Sequence, residues 1–349
     1  MKEISRWLPP EWAPQSGVML TWPHNQYWQP VLAGAEKTFA QIAATIARFE
    51  SVVISCLDKE HATYIRKLLK HQNADMDKIN LYIVPSNDAW VRDHGPVTVL
   101  NGSDHKPILL DFIFNSWGNK YPCEQDNQLT QKLKIQQAFG DTSLEPIDFV
   151  LEGGSIEVDG RGTLLTTSRC LLSPTRNPGL DKTQIAEKLE TYLGIKKILW
   201  LEEGHLDGDD TDSHIDTLAR FTDENTLCYI HCDDPEDSHY EDMTRMRQAL
   251  EKFRSYQDKP YRLIPLPWPR AKFSAVDGRR LPATYANFLI INQAVLLPVY
   301  NDPADLAAIS QMRKCFPERE IIAINCENLI ENFGSLHCVT MQLPQGVIA

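Results

Sequence analysis

Two apolar patterns alternate along the chain. In Ala33–Phe49, AGAEKTFAQIAATIARF, apolar residues recur at three- and four-residue spacing, which predicts a helix. LDKEHATYIRKLLKHQ repeats the pattern, with Asp58 placed to cap it, and DKTQIAEKLETYLG runs from a capping Asp181 to a closing Gly194. SHYEDMTRMRQALEKFRSY and DPADLAAISQMRKCFP are helical by the same criterion. The short apolar runs YIVPS, KILWL, YRLIPL and EIIAIN follow as strands. Elsewhere, extended segments flank turn-forming residues. WVRDHGPVTVL and ILLDF enclose NGSDHKP; GGSIEV and TLLTT enclose DGRG; HIDTLARF and TLCYI enclose TDEN; TYANFLI and AVLLPVY enclose INQ. The Asn-Gly and Asp-Gly steps favour tight reversals because they tolerate positive φ.

The order hairpin, helix, strand recurs every ~60–80 residues, about five times if the N-terminal GVMLTW and C-terminal SLHCVTM complete one unit. That repetition predicts an α/β ring closed from repeats, with a three-layer sandwich as the competing arrangement. No linker or low-complexity stretch divides the chain, so residues 1–349 read as a single domain. No GxGxxG or GxxxxGK[ST] loop is present, which argues against a nucleotide-binding sheet.

Charge narrows the partners. A formal net charge of -12 disfavours nucleic acid and accommodates a small cationic substrate. No apolar run reaches membrane-spanning length, and MKEISRWLPPEW lacks the apolar stretch of a secretory signal; the expectation is a cytoplasmic protein without membrane partners. The 8 cysteines show no CxxC pair, as suits free thiols in a reducing compartment, and the four-residue separation of Cys228 and Cys232 is a poor zinc signal.

Five segments carry candidate chemistry. In GDDTDSHIDTLARF, a strand reading puts His214 and Asp216 on one face, a proton carrier beside a cation clamp. Asp209, Asp210 and Asp212 precede them; an oxygen-ligated metal is a minor reading there, because the string matches no calcium loop. WVRDHGP holds Asp93 behind Trp90, LEGGSIEV sets Glu152 at a Gly-Gly turn, and FNSWG contributes Trp117. FGSLHCVTMQLP sets Cys338 beside His337 near the terminus. Singly, these segments suit a surface hairpin, an ion pair or a buried thiol. Together, acids, a His and a Cys suit a planar guanidinium: carboxylates pair with its nitrogens while a thiolate attacks its carbon.

In ordered motifs the chain resembles the agmatine deiminase and bacterial-type peptidylarginine deiminase family of guanidine-modifying enzymes. The likeness runs from EWAPQSGVMLTWP through WVRDHGP, FNSWG, LEGGSIEVDGRGTLLTTSRCLLSPTRNP and DDTDSHIDTLARF to GSLHCVTMQ, nearly the whole chain. It implies a pentein fold, an α/β propeller of five ββαβ units. It implies Cys338 as nucleophile, His214 as general acid/base, and Asp216 and Asp93 as guanidinium-binding carboxylates. Trp90, Glu152, Asp210 and Trp117 become substrate-pocket residues. The implied reaction is hydrolytic deimination of agmatine to N-carbamoylputrescine and ammonia through a thiouronium on Cys338, with no cofactor and no metal, in a homodimer. The chain departs from the GGGNIHC and Asn-Gly-His forms of one branch of that family, which bears on the substrate rather than on the quartet. Deimination of peptidyl-arginine is the alternative, a dihydrolase or amidinotransferase is a further one, and a catalytically silent interaction scaffold is the reading from another class.

Overall fold

The computed structural model describes residues 6–24, 26–102 and 104–348; the first five residues, and Ser103 in the NGSDHKP turn, lie outside the described residues. Its strands form five small sheets of one design, an antiparallel pair extended by a parallel strand. Thr163–Thr167 lies between antiparallel Glu157–Val158 and parallel Lys197–Leu201. Thr226–Ile230 lies likewise between Ala219–Asp223 and Arg262–Leu266, and Ala294–Val299 between Leu289–Ile291 and Glu320–Asn325. Pro107–Ile113 pairs with Val97–Asn101 and Ser143–Val150, and Arg6–Trp7 adds an edge. In the fifth sheet, Met341–Pro344 pairs antiparallel with Gln15–Thr21, which runs parallel to Ser51–Cys56, and Ile79–Ile83 follows. The segment GVMLTW and the strand that follows SLHCVT therefore share one sheet, as the repeat pattern requires.

Helices make the crossovers that parallel pairing needs. Leu32–Ile46, Lys182–Leu193, Tyr240–Lys252 and Asp305–Cys315 each connect the middle strand of a sheet to its parallel neighbour. Asp58 caps Lys59–His71 by accepting from the His61 amide at 2.8 Å. Asp181 and Gln184 form a reciprocal capping box, and Gly194 ends that helix at φ 70, where a Cβ would lie 1.8 Å from the Arg6 carbonyl. The buried faces of these helices merge into a core in which Trp28 stacks on Trp90 at 5.3 Å, joining the first repeat to the segment that carries Asp93.

All four hairpin expectations require correction at the first strand. GGSIEV opens on the 3-10 turn Gly153–Ser155 and pairs only at Glu157–Val158, and TYANFLI enters its strand only at Leu289. In WVRDHGPVTVL, Val91–His94 is one helical turn, and the strand begins only at Val97. In HIDTLARF, Ile215–Thr217 is a 3-10 turn, and the strand begins at Ala219. Strand alternation therefore does not bring His214 and Asp216 together. His214 enters in an extended conformation, the tight turn swings Asp216 round, and both side chains meet beside Gly154. These segments hold buried ionisable groups, and a turn offers them the partners that an alternating ladder does not. Among the described residues, no helix is long and apolar enough to cross a membrane.

Candidate active site

The loop 332–338 places the FGSLHC segment against residues from other parts of the chain. Gly334 passes so close to Trp90 that a Cβ would lie 2.2 Å from the indole ring. Past it, the Asn287 carboxamide accepts from the His337 amide at 2.8 Å and places its nitrogen 3.3 Å from the Cys338 sulfur. The Arg92 amide donates to the Cys338 carbonyl at 3.2 Å, tying the nucleophile's backbone to the turn that carries Asp93. Cys338 is 5% exposed, with its sulfur 3.9 Å from Asp216 Oδ2.

Asp93, His214 and Asp216 converge on Gly154. An added Cβ there would lie 2.6 Å from His214 Nδ1, 2.9 Å from Asp93 Oδ1 and 3.1 Å from Asp216 Oδ2. The Gly154 amide donates to Asp93 Oδ1 and the Trp117 indole to Oδ2, each at 3.0 Å. Asp93 Oδ1 lies 3.6 Å from His214 Nδ1, and Glu152 Oε2 lies 3.6 Å from Nε2. Gly154→Ala is expected to lower kcat/KM by about 100-fold or more, since displacements of an ångström at reacting groups cost that much. Steady-state kinetics beside a thermal melt test this; a fully active variant would refute the convergence.

The electrostatics are those of a cation site. Burial raises the Asp93 carboxyl to about 6, assisted by Asp216 and Glu152 and opposed by His214 and Trp117. Burial disfavours charge on His214, but Asp93, Cys170 and Glu152 outweigh it and hold the ring well above an ordinary histidine. The Cys338 thiol is pushed far up, by burial first and then by Asp216 and Asp93. Asp216 Oδ1 and both His214 ring nitrogens lack hydrogen-bond partners although buried. Each such atom costs about 1–3 kcal/mol, which a guanidinium and its leaving nitrogen would offset.

Cys338 and Asp93 open onto a cavity of ≈ 220 Å³ walled by Trp90, Trp117, Tyr27, Tyr121 and Phe333, with Asp88 and Asp210 among its polar groups. Aromatic faces and carboxylates together favour a cationic guest. Asp210 is already engaged by Lys120 at 2.9 Å and the Tyr121 hydroxyl at 2.7 Å. Asp88 accepts instead from neutral donors, the Trp28 indole and the Ala89 amide, each at 2.7 Å, and burial raises it to about 6.

The remaining sequence candidates fall around this cavity. Trp90, Trp117 and Asp210 line it, whereas Glu152 stands behind His214, fully buried, with Arg176 Nε 3.0 Å away. Asp209 bonds within its own turn and Asp212 pairs with Arg176, so the three-aspartate run is spent on turn and ion-pair contacts. Among the described residues, one group brings metal-type donor atoms within 4.8 Å of one another, Glu152, Cys170 and His214. Arg176 already supplies the compensating cation on that carboxylate. All eight cysteines are free, and Cys228 and Cys232 each donate to a backbone carbonyl. Sequence reasoning missed Asn287 and Asp88: one lies in TYANFLI and the other just before Trp90, and neither carried a chemical signal without its spatial partner.

Comparison with known proteins agrees with this geometry. The family described as Porphyromonas-type peptidyl-arginine deiminase matches residues 7–344. The agmatine deiminase of Pseudomonas syringae pv. tomato is 35% identical over 361 residues, 97% of this chain and 95% of that protein. A Porphyromonas gingivalis structure, provisionally described as an arginine deiminase, is 46% identical with a TM-score of 0.91, covering 99% of this chain and 100% of that one. A Cys-to-Ser variant of C. jejuni agmatine deiminase, with substrate bound, is 35% identical with a TM-score of 0.91 over 99% and 98%.

Proposed function

Because this chain belongs to the Porphyromonas-type peptidyl-arginine deiminase family and has its pentein fold, we infer that it is a hydrolase of linear amidines that converts agmatine to N-carbamoylputrescine and ammonia. The observation that supports this best is the meeting of Cys338, His214, Asp93 and Asp216 at the end of an aromatic, acidic cavity. Residues 1–349 act as one catalytic domain, in the cytoplasm and as a homodimer. Asp93 and Asp216 hold the guanidinium nitrogens, and the incoming cation offsets the two carboxylates that keep Cys338 protonated, so the thiol proton passes to solvent.

The thiolate then bonds to the guanidinium carbon, and the displaced π electrons move onto nitrogen. His214, held as imidazolium, gives its proton to that nitrogen, the C–N bond breaks, and ammonia leaves a thiouronium on sulfur. The neutral His214 next takes a proton from water. The hydroxyl adds to the carbon, the C–S bond breaks, the oxygen-bound proton passes to solvent as the urea C=O forms, and thiolate and imidazolium are both restored. Glu152 supports His214 from behind, while Trp90 and Trp117 wall the cavity that the cation enters. Asp210 shapes the rim through Lys120 and Tyr121, and Asp88 is the carboxyl for the distal ammonium. The reaction as written uses only these side chains and water.

A second reading, deimination of arginine as the free amino acid or in a peptide, draws on the 46% identity to the P. gingivalis protein. Ammonia release from agmatine, arginine and an arginine-containing peptide at equal concentration separates the two. Agmatine turnover, with a product mass showing an imine nitrogen exchanged for oxygen, is the expected result. Peptide or arginine turnover with agmatine ignored would keep the chemistry and overturn the substrate.

A further inference from the structure

His337 and Glu11 have no part in the chemistry above, yet they form the best-connected buried polar group beside it. His337 is 1% exposed. Its Nδ1 lies 2.7 Å from Asp216 Oδ2, and its Nε2 lies 2.7 Å from Glu11 Oε2. A neutral imidazole has one N–H. If only one proton were present, a nitrogen lone pair would face a carboxylate lone pair at 2.7 Å. The two short contacts therefore hold two protons.

Glu11 is placed to accept only. Its Oε1 takes the Ile290 amide at 2.7 Å, and its Oε2 faces Arg220 at 3.0 Å and Arg92 at 3.6 Å. Asp216 Oδ2 meets His337 and is also the oxygen 3.9 Å from the Cys338 sulfur, while Oδ1 is buried without a hydrogen-bond partner. Neither carboxyl is a good seat for the second proton, which leaves the ring. We propose that His337 is a positioning residue for the reaction inferred above: a doubly protonated imidazole clamped between Glu11 and Asp216, holding Asp216 ionised with its second oxygen free for the guanidinium.

The surrounding charges set the strength of the clamp. Burial, then Arg220 and Arg92, press the ring towards neutrality and pull it below an ordinary histidine, and Glu157 faces Arg220 at 2.9 Å. Glu11 and Asp216 press the other way. The second proton therefore follows from the paired 2.7 Å contacts and not from the ring's electrostatics. Across Asp216 stand His214, Asp93 and Cys338. A cation behind Asp216 also limits its repulsion with Asp93, which allows two carboxylates to stay charged in one buried site. The His-Cys step thus brings both residues to one oxygen of Asp216, His337 at 2.7 Å and Cys338 at 3.9 Å.

The test is the protonation state of His337 in the full chain, read from long-range proton–nitrogen spectra of histidine-labelled protein, with the signal assigned by its loss in His337→Gln. An imidazolium pattern at pH 7 is expected, giving way to a single neutral tautomer in Glu11→Gln. The same variant, placed in a Cys338→Ala background, should bind agmatine at least about tenfold more weakly by calorimetry. In the active enzyme it should raise KM more than it lowers kcat, since Asp216 then loses its cation and holds the guanidinium less firmly. A neutral ring in the unmodified protein overturns the proposal, even if neither variant folds. Variants that lose kcat alone, with affinity and KM unmoved, overturn it too. The spectra need no turnover, so failure of the agmatine reading remains distinguishable from failure of the clamp.

Discussion

Cys338→Ala is expected to cut agmatine turnover by about 10⁶-fold, on the order seen when a nucleophile acting within a catalytic unit is removed. Agmatine binding should persist, because Asp93, Asp216 and the aromatic walls do not depend on the sulfur. The pH behaviour of the thiol gives a companion result. Burial, Asp216 and Asp93 all hold the free enzyme's Cys338 in its protonated form. The thiolate fraction therefore grows only as pH rises. Inactivation of the free enzyme by iodoacetamide should keep accelerating past about 8.5, where an ordinary cysteine begins to level off. A variant retaining a thousandth of the rate, or an alkylation plateau near neutrality, would contradict Cys338 as the nucleophile of this site.

Asp93→Asn should lower kcat/KM by about 10²–10⁴-fold, corresponding to the ~3–5 kcal/mol lost when one partner of a buried charge pair is removed. Trp117 and Gly154 donate to the two carboxylate oxygens separately. An asparagine can accept from one of them but must turn its own N–H groups towards the other. Two changes in the pH profile should accompany the loss. The acid limb, set near 6 by Asp93 in the unmodified enzyme, should no longer be carried by that group. The alkaline limb should move to lower pH, because Asp93 raises His214 and its removal lets burial pull the imidazolium's pKa down. Kinetics from pH 5 to 10 on both proteins would show it; an uninhibited variant would mean that Asp93 neither holds substrate nor tunes His214.

Much of this was legible in the sequence because it depends on neighbours along the chain. Asp58, Asp181 and Gly194 mark helix ends through contacts three or four residues away, and the structure places those ends where the residues indicate. The hairpin turns are local for the same reason. WVRDHG and HID were misread as strands because their conformations answer to buried partners far along the chain, Cys338 for one and His337 for the other.

The sequence by itself determined the repeat, its α/β elements and the residue types available for chemistry, since periodicity, capping and turn preference act over a few residues. The tertiary structure decided which of those residues meet. Asn287 reaches Cys338, Glu11 reaches His337, and Gly154 admits Asp93, His214 and Asp216 around a space too small for a methyl group. Protonation was decided there as well. A carboxyl near 6 at Asp93 and a charged His214 arise from burial and from charges delivered by separate repeats, quantities that exist only once the chain has closed on itself.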